Sequence, residues 1–174
     1  PMPPPLNGKE AVGALLTGFF QAFPDLQAST QRVLTSGNIL VNEWIATGTL
    51  QGEFLGVPPT GKGGPVPHLT IYEFEGDKIK RQTLYLDYVT IMVLIDAMPA
   101  SELPPLEPSF ELPDPEATGL TPLEANAELI TRWNTNDMAN WAKLLHRDTV
   151  FKYNTVGMMP LNREQTVAVN ELFA

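Results

Sequence analysis

Residues 23–97 alternate apolar and polar side chains in runs of strand length, and turn residues interrupt the runs at three places. The interruptions are Ser36-Gly37-Asn38, the Pro- and Gly-rich segment 57–64, and Glu75-Gly76-Asp77. Alternation with a period of two is typical of half-buried strands, and a Gly-Asp pair is typical of a tight hairpin. The pattern predicts a meander of about four antiparallel strands. Their bounds are 27–36, 39–50, 66–74 and 78–87.

Helical spacing precedes the predicted strands. Apolar residues recur on one face from Val12 to Phe20, Asn7 can cap the start of this helix, and Pro24 ends it. We expect its apolar face to pack on the sheet. After the strands, the apolar segment 89–97 predicts either an extension of the last strand or a short helix.

Residues 99–120 combine many prolines with acidic residues and show almost no periodicity. Such a segment is typical of a semi-rigid linker that extends by about 3 Å per residue. It predicts three parts of the chain, which are residues 1–98, the linker 99–120 and residues 121–174.

The third part is helical in pattern. Thr121-Pro122-Leu123-Glu124 is typical of a capped helix start, and Asp137 can cap a second helix. Residues 149–153 predict a short strand, and a further helix is expected from Leu161 to Phe173.

Composition narrows the classes of partner. The formal charge of -9 disfavours nucleic acid and anionic membranes, and no apolar run reaches membrane-spanning length. The absence of cysteine excludes a disulfide framework and a thiol nucleophile. A cytoplasmic protein is expected, although the chain opens at Pro1 without a starting Met, so a leader could have been removed.

Several short motifs within residues 23–97 resemble the SnoaL-like polyketide cyclases. This family is a branch of the nuclear-transport-factor-2-like superfamily, which includes the ketosteroid isomerases. The motifs are Phe23-Pro24-Asp25-Leu26, Thr47-Gly48-Thr49, the segment 52–62 reading GEFLGVPPTGK, the strand Ile71-Tyr72-Glu73-Phe74, and Asp87. Each motif alone is weak, but the combination is specific.

The resemblance implies an α+β fold in which helices wrap a cone-shaped, curved antiparallel sheet, also described as a cystatin-like α+β barrel. The opening elements of such a domain are expected at the far end of this chain, in residues 121–174. A loose repeat of residues 5–12 at 160–167 suggests a tandem duplication. The carboxy-terminal helices can fold back over the sheet, can swap into a second copy to give a homodimer, or can belong to a longer two-domain protein. We favour fold-back or swap because the linker can span the distance.

The resemblance also implies chemistry at Asp87, because an acidic residue on the last strand often serves as general base in this family. In the cyclases the base removes a proton next to a carbonyl and starts an aldol closure. A carboxylate at the end of the apolar run 84–86 would be partly desolvated, which raises its pKa. Otherwise Asp87 is a solvent-exposed residue at the strand end or accepts hydrogen bonds from the backbone.

His68 and Tyr85 are the other candidate catalytic residues. His68 can hydrogen-bond a substrate oxygen or orient Asp87, or it can be an ordinary histidine at a strand edge. Tyr85 has the same strand parity as Asp87, so both side chains should face the same way. Either His68 or Tyr85 would stabilise the enolate. Three aromatic residues are candidates for substrate binding, although aromatic residues on strands more often belong to the core. They are Trp44, Tyr72 and Tyr153.

The resemblance thus implies a cyclase or isomerase that acts on a hydrophobic, carbonyl-containing small molecule by acid–base chemistry, and we expect it to work without a cofactor or metal. The alternative is a non-catalytic module of the same fold that binds a small ligand or dimerises. An epoxide hydrolase of this superfamily needs an Asp-Arg-Asp set; the arginines of the sheet part are Arg32 and Arg81, and Arg81 is weakly placed for that role. The expected partners are a hydrophobic ligand and a second copy of the chain, and neither a nucleic acid nor a membrane.

Overall fold

The computed structural model describes residues 5–100, 108–150 and 161–171. The chain divides into two compact units, of which the first includes residues 5–100 and the second includes residues 108–150 and 161–171. The elements follow one another as α1 (Lys9–Ala22), β1 (Gln27–Ser36), β2 (Ile39–Thr49), β3 (Gly63–Glu75), β4 (Lys78–Leu86), α2 (Tyr88–Leu94), α3 (Pro122–Asn134), α4 (Met138–Lys143) and α5 (Arg163–Glu171).

Strands β1 to β4 form one antiparallel sheet in the order β1-β2-β3-β4, as the alternation predicted. Strand β3 begins earlier than expected, because Gly63 and Gly64 belong to it and pair with Thr49 and Gly48. A Cβ on Gly63 would lie 1.9 Å from the carbonyl oxygen of Gly48, so only glycine allows this close pairing.

The strand register defines two faces, because antiparallel partners share a face and successive residues alternate. The face that carries His68 is called the histidine face, and the face that carries Tyr85 is called the tyrosine face. The histidine face includes Asn42, Trp44, Ala46, Val66, His68, Thr70, Tyr72, Leu84 and Leu86. The tyrosine face includes Arg32, Leu34, Val41, Glu43, Ile45, Pro67, Leu69, Ile71, Thr83 and Tyr85.

The core of the first unit lies at one end of the histidine face. Val66 and Leu86 pack there with residues from the end of α1, from α2 and from the loop after β2. Its buried members are Ala22, Phe23, Leu50, Phe54, Val66, Ile91 and Ile95. Helix α2 settles the alternative left open for residues 89–97, because residues 88–94 are helical and do not extend the strand. This helix and the residue after it thereby contribute Ile91, Met92, Leu94 and Ile95 to the core.

The helix starts confirm two of the predicted caps and correct one. Thr121 and Glu124 form a capping box at α3, and Asp137 accepts a hydrogen bond from the backbone N–H of Asn140 at α4. The expected cap at Asn7 is wrong, because Gly8 with φ 84° occupies the N-cap position and makes no side-chain cap bond. Glycine adopts this positive φ without strain.

The second unit is built around a cluster of Met138, Trp141, Ala142 and Val167. The expected linker is described from residue 108 onward, and Phe110 and Leu112 pack against this cluster. The backbone N–H of Glu116 donates to the carbonyl of Lys143 at 2.7 Å. Residues 108–116 therefore pack against the helices of the second unit and are hydrogen-bonded to them.

None of the helices in the described ranges has the length and apolar character needed to cross a membrane. The short strand expected at 149–153 lies mostly outside the described residues, and Thr149 and Val150 are not in a strand.

Candidate functional site

A row of side chains crosses the whole sheet on the tyrosine face. Arg32 pairs with Glu43, Glu43 pairs with Leu69, and Leu69 pairs with Tyr85, so one residue from each strand contributes. The row forms one wall of an open pocket with a volume of about 290 Å³. The lining residues are Arg32, Glu43, Pro67, His68, Leu69, Tyr85, Leu86 and Asp87.

Asp87 lies where β4 ends and α2 begins, and it serves as the N-cap of α2. Its Oδ1 accepts a hydrogen bond from the backbone N–H of Thr90 at 3.2 Å, and its Oδ2 accepts one from the Thr90 hydroxyl at 2.7 Å. The side chain is partly buried and lines the pocket. The carboxylate therefore has a structural task as well as access to the pocket.

Tyr85 lines the same pocket and is 56% exposed. Leu69, Pro67 and Leu86 supply apolar wall on either side. Arg32 and Glu43 form an ion pair of 2.8 Å along the row. The pair is largely exposed, so it adds little stability and acts mainly through its charge.

The imidazole of His68 stacks on the indole of Trp44, with ring centroids 4.3 Å apart and 20° between the planes. Its Nδ1 lies 2.8 Å from the carbonyl oxygen of Val66. A carbonyl only accepts, so Nδ1 carries the proton and Nε2 is the acceptor in neutral His68. Burial lowers the pKa of His68, while the bond to Val66 acts weakly in the opposite direction.

Of the three candidates for substrate binding, two lie within the described residues. Trp44 and Tyr72 lie on the histidine face, and the Trp44 Nε1 donates to the Thr70 hydroxyl at 2.8 Å. Neither residue lines the 290 Å³ pocket. Tyr153 lies outside the described residues.

The structure brings Asp87 and Tyr85 to one pocket, and strand alternation places the His68 side chain on the opposite face from Tyr85. His68 still contributes to the pocket wall. The sequence did not reveal the pocket residues Arg32 and Glu43. A cross-strand register would have found them, because both lie in the row of Tyr85.

Lowering the pH from 7 to 5 is expected to destabilise the wild-type chain more than His68→Gln. Because the folded pKa of His68 lies below that of the unfolded chain, near 6.5, the unfolded chain takes up the proton first. Stability is full above about pH 6.5 and is lost as the pH falls toward the folded pKa. Uptake of one proton changes the free energy of unfolding by at most about 1.4 kcal/mol per pH unit, and the change is smaller here because the ring is only half-buried.

Urea unfolding followed by circular dichroism at several pH values checks this. Asp25 titrates at lower pH, because the backbone N–H of Thr49 donates to it and lowers its pKa. The series therefore ends at pH 5. Equal pH slopes for the wild type and His68→Gln would contradict the expected contribution.

No group of three or more His, Asp or Glu residues in the described ranges is arranged to hold a metal ion. The pocket offers the carboxylates of Glu43 and Asp87 as proton acceptors, the phenol of Tyr85 as a hydrogen-bond donor, and the guanidinium of Arg32 as a permanent positive charge.

Two solved structures that superpose with a TM-score of at least 0.50 support the architecture. AclR, a candidate hydroxylase from Streptomyces galilaeus, is 25% identical and superposes with a TM-score of 0.50 over 53% of this chain and 70% of its own. TsrD from Streptomyces laurentii is 20% identical with a TM-score of 0.52, over 56% and 73% of the two chains, and shows the fold alone. A candidate SnoaL-like polyketide cyclase from Jannaschia sp. CCS1 is 30% identical, with a TM-score of 0.48 over 52% of this chain.

The chain spans 62% of the Jannaschia protein, which is less than two thirds of its length. No functionally curated protein matches the chain. The model of the SnoaL-like polyketide cyclase family matches residues 1–93, which include α1, the whole sheet and most of α2. The match covers more than half of the 174 residues. The chain is a member of the SnoaL-like polyketide cyclase family.

Proposed function

We propose that this chain catalyses proton transfer next to a carbonyl in a hydrophobic small molecule, without a cofactor, as in a cyclisation or isomerisation. The observation that carries the proposal is that the Asp87 carboxylate and the Tyr85 phenol line one pocket, whose apolar wall is formed by Pro67, Leu69 and Leu86. A base and a hydroxyl donor are the two groups that enolate formation requires.

Asp87 is assigned the role of general base. The backbone N–H and the hydroxyl of Thr90 both donate hydrogen bonds to this carboxylate. They fix the carboxylate at the start of α2, and a fixed base reacts faster than a mobile one.

Tyr85 is assigned the role of donor to the enolate oxygen. Of the two residues considered for this role, His68 is the weaker candidate. Its Nδ1 proton is committed to Val66, and neutral Nε2 is an acceptor. The phenol of Tyr85 is a donor, is exposed to the pocket and lies on the same side of the sheet as the row from Arg32. His68 is then a wall residue that can accept a hydrogen bond from a ligand hydroxyl.

Deuterium exchange into 2-tetralone tests the proposal. This bicyclic ketone has acidic protons next to its carbonyl, and proton NMR in D₂O follows their loss without any need for the natural substrate. We expect the wild type to exceed the buffer rate. Tyr85→Phe should reduce the excess about 10- to 100-fold, because one hydrogen bond to the developing oxyanion is lost.

Tyr88→Phe is the matched control, because Tyr88 is a similarly exposed tyrosine on α2 and does not line the pocket. It should keep the wild-type rate. A wild-type rate no higher than that of buffer would refute proton transfer on this class of ketone, and an unchanged rate in Tyr85→Phe would refute the role of Tyr85.

The second candidate function is a non-catalytic ligand-binding or dimerisation module. The apolar side chains Leu34 and Leu69 are exposed on the tyrosine face, by 58% and 36%, which favours contact with a second copy. The second function replaces the first if three results are obtained together: no exchange into 2-tetralone, a dimer by light scattering, and dissociation of that dimer by Leu34→Glu. A monomeric wild type would exclude the dimerisation module.

A further inference from the structure

On the histidine face, three side chains from two strands form a continuous chain of contacts. The Trp44 Nε1 donates to the Thr70 hydroxyl at 2.8 Å, and the Trp44 indole stacks on the His68 imidazole. Thr70 and His68 lie two residues apart on β3, and Trp44 pairs with His68 across the ladder. Each member therefore contacts the next.

Thr70 is the buried end of this chain, with no exposed surface. An indole N–H is a donor only, so it needs an acceptor when it is buried, and the Thr70 hydroxyl provides one. This bond fixes the rotation of the indole about its side-chain torsions. The plane on which His68 rests is therefore set by Thr70.

His68 is held by two contacts in different directions. The bond from Nδ1 to Val66 fixes one edge of the ring, and the stack on Trp44 fixes its plane. Its neighbours on this face are uncharged, namely Trp44, Val66, Thr70 and Leu86. The charged groups of the pocket that His68 helps to line are Arg32, Glu43 and Asp87. Burial lowers the pKa of the ring, and the bond to Val66 acts in the opposite direction.

We propose that Thr70 is a positioning residue for the His68 imidazole and that it acts through the indole of Trp44. The arrangement holds the ring in one orientation, in which the bond from Nδ1 to Val66 leaves Nε2 as the acceptor. The value of this to a ligand rests on the proposed function, in which His68 is a wall residue of the pocket. The geometric coupling of the three side chains does not require turnover.

An NMR titration of His68 tests the coupling. The chain has two histidines, and His146→Gln in the second unit assigns the remaining resonance to His68. Thr70→Val keeps the shape of the side chain and removes the acceptor, which frees the indole and lets water reach the ring. We expect the pKa of His68 to rise by about 0.5 unit or more toward its ordinary value, because burial is what lowers it.

Thr70→Ser keeps the hydroxyl and is the conservative control. It should leave the pKa of His68 within about 0.2 unit of the wild type. In a Trp44→Phe background, where no indole N–H remains, Thr70→Val should cause no further rise, since the two changes remove the same bond.

An unchanged pKa in folded Thr70→Val overturns the proposal. An equal rise in the Trp44→Phe background also overturns it, because Thr70 would then act by another route. If Thr70→Val does not fold, Trp44→Phe alone decides, and an unchanged pKa of His68 in that variant overturns the proposal. The titration contains no substrate, so its outcome does not depend on whether the chain catalyses exchange into 2-tetralone. The further inference and the proposed function can therefore fail separately.

Discussion

Asp87→Asn is expected to lower the enzyme-dependent exchange of 2-tetralone at least about 100-fold while the protein stays folded. The amide cannot accept a proton at neutral pH, and loss of a general base typically costs 10²- to 10⁴-fold. An asparagine oxygen still accepts a hydrogen bond from the backbone N–H of Thr90, so the cap of α2 survives. Proton NMR in D₂O gives the rate, and circular dichroism with urea gives the free energy of unfolding.

Asp87→Ala separates the two tasks of this residue. It removes the base and the cap together, so we expect the same loss of exchange with an additional loss of about 1 kcal/mol in stability. Asp77→Asn is the control, because Asp77 lies exposed in the β3–β4 turn and its side chain is 83% exposed. Exchange at the wild-type rate in Asp87→Asn would show that another group is the base.

The cap at Asp87 could have been predicted from the sequence. Asp87-Tyr88-Val89-Thr90 places a capping residue three positions before a threonine, at the start of an apolar run. The apolar run before it is continuous with β4, so the same residues also fit the end of a strand. A strand that continues beyond Leu86 and a helix that begins after Asp87 both fit this sequence. The packing of Ile91 and Ile95 into the core favours the helix.

The number and order of the strands followed from alternation, although β3 begins at Gly63 and not at Val66, but the faces did not. Glu75 pairs with Lys78 and Phe74 with Ile79, and an uninterrupted ladder would pair His68 with Tyr85 on one face. A register shift between Glu73 and Phe74 moves the partner of His68 to Leu86. One extra residue in a strand reverses every side chain beyond it.

No residue type marks this irregularity. The segment Lys78-Ile79-Lys80-Arg81 alternates weakly, so a shift by one residue disturbs no apolar pattern at that point. The shift affects residues farther along the ladder, because it places His68 and Tyr85 on opposite faces of the sheet. The candidate residues were therefore found by type and motif, while their grouping needed the register.

Leu50→Ala is expected to cost about 2–5 kcal/mol in the free energy of unfolding, the largest effect on stability among these substitutions. Leu50 has no exposed surface and lies in the core of the first unit. It also fixes the loop after β2, because its N–H donates to the carbonyl of Lys62 at 2.8 Å and its carbonyl accepts from the N–H of Gly61 at 3.0 Å. The cavity left by the substitution would lie under this loop.

Leu55→Ala is the matched control, because Leu55 lies five residues later in the same loop and is 67% exposed. Its removal should change stability by no more than about 0.5 kcal/mol. Urea unfolding followed by circular dichroism gives both values, and similar losses in the two variants would contradict the assigned core. A large loss in Leu50→Ala together with a small loss in Leu55→Ala would support a role for buried Leu50 in holding the loop 52–62, which carries the longest motif of the family. The conformation of this motif would then depend on packing beneath the loop and not on the exposed Leu55.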